Sequence, residues 1–214
     1  MQKDALILLV DQPIPGKVKP KLIPYLGEEN ATKMYISLLD ISAQVIKSLF
    51  MHKEVFYEDQ IREGDMFDSI AEKNIQVEGD WGTKVKHGFE IQFEKGYTKV
   101  IYIDSDCPVL KDQHIKQALV ALDENDAVMG PSLSGGYYLL GLKAKNDALF
   151  ENKIWGSSNV FEETLKELHL QHQKVFLLEA LFNVDTLDDL QRYLVYISSQ
   201  NNALNPLKFK DRPQ

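Results

Sequence analysis

Seven short apolar runs punctuate the chain: ALILLV (5–10), EVFYE (54–58), NIQVE (74–78), KVIYID (99–104), DAVMGP (126–131), YYLLGL (137–142) and KVFLLE (174–179). Each has strand length and is bounded by polar or turn-forming residues. The intervening segments switch to a helical period. Residues 28–50 place Met34, Leu38, Ile41, Val45 and Leu49 at three- and four-residue steps, which predicts an amphipathic helix. From Trp81, the series Val85, Phe89, Phe93 recurs every fourth residue, so these rings are expected to face the core, and Gly96 stands where a C-terminal cap belongs. A further helix is expected from about Asn159. Another should begin at Thr186, three residues before Asp189, the spacing of a capping box. Strands alternating with helices predict an α/β fold whose mainly parallel sheet is covered on both faces. One domain is expected over residues 1–200, followed by a tail, 201–214, packed on the surface or frayed.

Composition narrows the function classes. The 214 residues are 44% hydrophobic and 26% charged, enough apolar material for a true core. No apolar run reaches membrane-spanning length and the N-terminus lacks a cleavage pattern, so a cytoplasmic protein without membrane insertion is expected. Cys107 is the single cysteine, which excludes an internal disulfide and a multi-thiolate zinc site. It reads as a packing residue. Acidic side chains outnumber basic ones 32 to 24, a net charge of −8 that argues against nucleic-acid binding.

Against that acidic background two segments carry chemistry. In VIYIDSDCPVL (100–110) a buried strand ends on Asp104 and Asp106, which alternation would aim the same way. Two carboxylates sharing one patch need a cation, a proton or abundant water. Both a metal site and a solvated strand end are open at this point. In PGKVKPKL (15–22), Lys17, Lys19 and Lys21 stand at every second position with no acidic residue between Asp11 and Glu28. If extended, the loop would point three ammonium groups one way as a clamp for phosphate oxygens; otherwise it is an exposed lysine-rich turn. Ligands of open α/β sheets lie at the carboxyl ends of strands, and both segments follow strands. Gly135 and Gly136 precede another strand, where missing side chains admit a ligand, and Asp185 follows the seventh. A Walker loop, a G-x-G-x-x-G fingerprint and a G-x-S-x-G elbow are all absent from the sequence. The histidines do not cluster. Carboxylates are therefore the credible ligands, and with phosphate oxygens they are the usual company of Mg2+ or Mn2+.

Taken together, LLVDQPIPGKVKPKLIPYLG, GDWGTKV, IDSDCPVL, SGGYYLLGL, WGSS and NVDTLDDL resemble, in order and spacing, a family of small bacterial glycosyltransferases labelled as radical-SAM- or selenium-associated. That family lies within the nucleotide-diphospho-sugar transferase (GT-A-like) superfamily, and the chain is similar also to nucleotidyltransferases. The resemblance implies a single-domain, Rossmann-like GT-A fold with a mixed, mainly parallel sheet. It implies a metal-dependent transferase acting on a nucleotide or nucleotide sugar, with glycosyl transfer first, nucleotidyl transfer onto a small phosphorylated acceptor second, and a non-catalytic binding module third. It further implies that Asp106 holds a divalent ion with Asp185 opposite, and that Lys17 neutralises phosphate. Gly79 and Asp80 would line the base or sugar side, and Gly135 with Gly136 the acceptor side. The chain departs from the pattern around Asp11 and Gln12, where a basic or aromatic residue is usual, at Pro20 and Lys21, where a Thr-Arg pair is usual, and at Ser134, where an aspartate is usual. Asp104 replaces a common glycine and fills out the D-x-D pair.

Overall fold

A computed structural model of the protein describes residues 3–203. Seven strands, β1 (Asp4–Val10), β2 (His52–Tyr57), β3 (Glu72–Ile75), β4 (Lys99–Ile103), β5 (Ala127–Pro131), β6 (Tyr137–Leu142) and β7 (Val175–Leu177), form one sheet in the order β3-β2-β1-β4-β6-β5-β7. All neighbours are parallel except that β6 runs against both β4 and β5. The helices are α1 (Ile23–Leu26), α2 (Glu28–Lys47), α3 (Trp81–Glu94), α4 (Asp112–Glu124), α5 (Val160–Leu170) and α6 (Leu187–Ala203). The expected single-domain α/β architecture with a mixed, mainly parallel sheet is the one observed.

Alternation along the central strands builds two cores. Leu6, Leu8 and Val10 of β1 join Ile101 and Ile103 of β4 under α2 and α4. Ala5, Ile7 and Leu9 join Val100 and Tyr102 on the other face, against Val85 and Phe89 of α3 and Val160 and Leu168 of α5. Both faces of β1 are thus closed from water, which explains its unbroken apolar run. A third, smaller cluster of Leu22, Ala31, Leu38, Val184 and Leu190 ties the loop after β1 to the start of α6.

Local expectations hold unevenly. Gly96 takes a left-handed φ of 88° just past α3, as a C-cap requires. The α6 capping box forms in full: the Asp189 N–H donates to Thr186 Oγ1 at 3.3 Å and the Thr186 N–H donates to Asp189 Oδ2 at 2.9 Å. In α2 the buried stripe is centred on Tyr35, Leu38, Leu39, Ser42, Ala43 and Ile46, with Met34, Ile41 and Val45 at its margin. Small Ser42 and Ala43 let the helix approach the sheet closely, and a hydrophobicity count overlooks them. Helix α4 escaped the periodicity reading although Ile115, Ala118 and Leu122 make its inner face. Strand β3 sits two residues earlier than expected, and α6 passes the expected boundary at 200. What remains of the predicted tail, 204–214, lies outside the described residues. Among the described residues no helix is long and apolar enough to cross a membrane.

Chain order reverses around β1: β2 and β3 are added on one side, β4 on the other. Loops leaving the carboxyl ends of β1 and β4 therefore diverge and leave a crevice. Because β6 is antiparallel, the loop before it, rather than after it, reaches the same edge: the Asp104 N–H donates to the Tyr138 carbonyl at 2.9 Å. This single reversal brings Ser134–Gly136 to the aspartates.

Candidate active site

At that edge lies a cleft of about 600 Å³. Its wall carries Lys17, Lys19 and Lys21 from the loop after β1, Asp104 and Asp106 from the loop after β4, Ser134 and Gly136 from the loop before β6, and Asp185 from the approach to α6. Eight of the eleven site residues expected from the sequence thus converge, although they are spread over 169 positions.

The aspartate pair is not held as an extended strand. After Ile103 the chain turns, and the Asp106 N–H reaches back to Asp104 Oδ1 at 3.3 Å. Asp104 Oδ2 accepts from Asn183 Nδ2 at 2.6 Å, and the Asp106 carbonyl accepts from the Val184 N–H at 2.9 Å. Burial, with the neighbouring Asp106 charge, raises the Asp104 carboxyl to about 7. Cys107, next along, is 1% exposed, and burial pushes its thiol up to about 12, consistent with a packing role.

The lysine segment corrects the picture of an extended clamp. Residues 15–17 and 20–22 are turns, and Lys19 has a left-handed φ of 51°. That conformation sends its side chain inward, where it pairs with Asp106 Oδ2 and lies 5.7 Å over the Tyr35 ring. Its side chain is only 4% exposed. Lys21 extends along the rim to Asp185 Oδ2 at 2.5 Å, and that contact raises its ammonium. Lys17 is exposed at the mouth.

Gly79 and Asp80 do not line the cleft. Asp80 caps α3, accepting from the Thr83 N–H at 2.8 Å and Thr83 Oγ1 at 2.7 Å, while Gly79 takes φ 137° where a Cβ would strike Thr83. Their motif instead delivers the next residue, Trp81, to the wall. The same ring packs against the core of Val85 and Phe89, as expected, so it serves both. Gly135 is also behind the wall: with φ 90°, it lets the Ser158 carbonyl sit where a Cβ would be.

Sequence reasoning missed Asp11, Tyr102, Tyr137, Trp155, Asn183 and Asp189 of the lining. Asp11 offers its N–H to the Tyr35 hydroxyl at 2.8 Å, and burial raises its carboxyl. Trp155 lies over Gly82, whose absent Cβ makes its room. A signal existed for five of these residues, since Asp11, Tyr137, Trp155, Asn183 and Asp189 all stand in the motifs that carry the resemblance.

Among the described residues, seven buried side-chain polar atoms lack a hydrogen-bond partner, and four of them, Asp106 Oδ1, Asn183 Oδ1, Tyr137 Oη and Trp155 Nε1, belong to residues of this cleft. Each unmet polar group costs about 1–3 kcal/mol, so their gathering in one place marks a surface awaiting a polar ligand. Oxygen donors on Asp104, Asp106 and Asp185 suit a hard divalent ion, and Asp106 Oδ1 is free to bind one. The donor set therefore fits Mg2+ or Mn2+. It is not closed around one: among the described residues the cleft carboxylates do not bring three ligand atoms within 4.8 Å of one another, and Lys19 and Lys21 pair with two of them. His52, Glu54 and Glu72 do meet that spacing, at the far end of β2. There Lys95 already bridges Glu54 and Glu72, at 2.6 and 3.3 Å.

Comparison with known proteins agrees with the fold. Residues 41–157 match a family described as "Uncharacterized protein conserved in bacteria (DUF2064)". The chain is 24% identical over 197 residues to a 2-phospho-L-lactate guanylyltransferase of Methanocaldococcus vulcanius, covering 89% of this chain and 84% of that one. A crystal structure from Desulfovibrio desulfuricans G20, provisionally described as a nucleotide-diphospho-sugar transferase, superposes with a TM-score of 0.84 at 26% identity over 96% of this chain and 91% of the other. The 4-diphosphocytidyl-2C-methyl-D-erythritol synthase of Anaerococcus prevotii shares the fold, with a TM-score of 0.61 at 14% identity over 92% and 96%.

Proposed function

We propose that this chain, which belongs to the DUF2064 family of bacterial proteins, is a nucleotidyltransferase that joins a nucleoside monophosphate to a small phosphorylated acceptor. The relatives named as guanylyltransferases support nucleotidyl over glycosyl transfer and make GTP the first nucleotide to test. The observation that carries the reading is the meeting of three lysines and three aspartates around a cleft at the sheet's topological switch point.

In this reaction an acceptor phosphate oxygen attacks the α-phosphorus, the bond from that phosphorus to the β-phosphate bridge breaks, and pyrophosphate leaves. Little covalent work falls to the protein, so positioning and charge stabilisation carry the rate. Lys17 and Lys19 stabilise the triphosphate and the departing pyrophosphate. Lys21 steadies the rim beside Asp185. Ser134 and Gly136 face the acceptor. A divalent ion held by Asp106, with Asp104 and Asp185, would supply the remaining positive charge.

The test supplies the protein with GTP, CTP, ATP or UTP, Mn2+ and a panel of small phosphorylated acids, and assays pyrophosphate. Acceptor-dependent pyrophosphate with one base supports the reading. Release of a free nucleotide from a nucleotide sugar, without pyrophosphate, would establish glycosyl transfer instead, the reading that the Desulfovibrio structure's description favours.

A further inference from the structure

Two carboxylates of the cleft are paired with cations of the chain itself. Lys19 sits on Asp106 and Lys21 on Asp185, two residues apart in one loop and each on a different wall. The Lys19 pairing is incomplete. Asp106 keeps Oδ1 buried and unpartnered, and Lys19 reaches Oδ2 only by holding a left-handed backbone that a lysine rarely adopts. Buried ion pairs repay their desolvation only when every remaining polar group is met, so this one is poised to be exchanged. Lys95 makes the contrast: its carboxylate partner Glu54 also accepts from Gln92 at 2.6 Å and Asn74 at 3.0 Å.

We propose that Lys19 and Lys21 are phosphate-binding residues that serve as internal counter-ions until substrate binds: the ammonium groups then leave Asp106 and Asp185 for the nucleotide phosphates, and the released carboxylates take the divalent ion. The inference rests on the nucleotidyltransferase reading. It makes metal and triphosphate binding mutually dependent, because neither ligand alone finds both partners free. By linkage, each then tightens the other by the same factor, expected to be about tenfold.

Electron paramagnetic resonance of Mn2+ titrated onto nucleotide-free protein reads the metal half directly. Wild-type binding should be weak, Lys19→Met should bind Mn2+ about tenfold more tightly, and Lys21→Met, removing an exposed partner, about threefold more tightly. Should Lys19→Met fail to fold, Lys21→Met decides alone, since its side chain is 58% exposed. Calorimetry of GTP in EDTA reads the other half: Asp106→Ala, which frees Lys19, should bind metal-free GTP more tightly than wild type. Mn2+ binding that is equal or weaker in a folded lysine variant overturns the exchange, because lysines that merely hold the aspartates in place would give that result. If wild type binds no nucleoside triphosphate even with Mn2+, the functional reading has failed instead.

Discussion

Two acidic clusters at opposite ends of the sheet show how differently the same chemical group can be used. Near the amino ends of the strands, Glu54 is 2% exposed and accepts from Gln92, Lys95 and Asn74; those partners outweigh its burial and draw its carboxyl down to about 2. At the carboxyl ends, Asp104 rises to about 7 beside an Asp106 that keeps one oxygen unmet. The first network is nearly finished, with Gln92 Oε1 its one unmet atom. The second is left incomplete on four atoms in one cleft. A completed network stabilises a fold, whereas an incomplete one sacrifices stability for a ligand; ligand spacing singles out the first cluster and unmet polar atoms the second.

Breaking the finished network should have the largest effect. Glu54→Ala leaves Lys95 and Gln92 without their carboxylate, with an expected loss of about 3 kcal/mol in urea unfolding and unchanged GTP affinity. Its pH signature follows from a depressed value: the stabilisation is present above the ordinary glutamate range and disappears as pH falls toward 2. Asp106→Ala should lower turnover about a hundredfold or more, measured at a temperature where the variant is folded, because removing the carboxylate also strands the buried Lys19 and costs stability.

Asp104→Asn sharpens the comparison through pH. The folded value is raised, so the wild-type proton stabilises below the ordinary aspartate range, and that stabilisation is lost as pH rises through about 7. The variant should therefore gain melting temperature relative to wild type at pH 8 and little at pH 5. The smallest effect belongs to Lys21→Met, whose rim pair with Asp185 contributes under about 1 kcal/mol to stability.

The sequence displayed the strands, the sheet class and the aspartates because these follow from periodicity and from polar residues at the ends of apolar runs. It could not display what depends on handing one segment to another. Lys19 turns inward only because its backbone is left-handed, Asn183 meets Asp104 only because the chain after β7 returns past β4, and Trp155 reaches the wall only where Gly82 leaves room. Gly79 and Asp80 failed differently. A helix cap and a ligand site call for the same small and acidic residues, and only the Thr83 contacts tell them apart.

The most direct test is the Mn2+-dependent thermal stabilisation by GTP in wild type, Asp106→Ala and Glu54→Ala. The account predicts a clear upward shift in wild type, the same shift from a lower baseline in Glu54→Ala, and none in Asp106→Ala. A full shift in Asp106→Ala, or its loss in a folded Glu54→Ala, would contradict the assignment of the cleft.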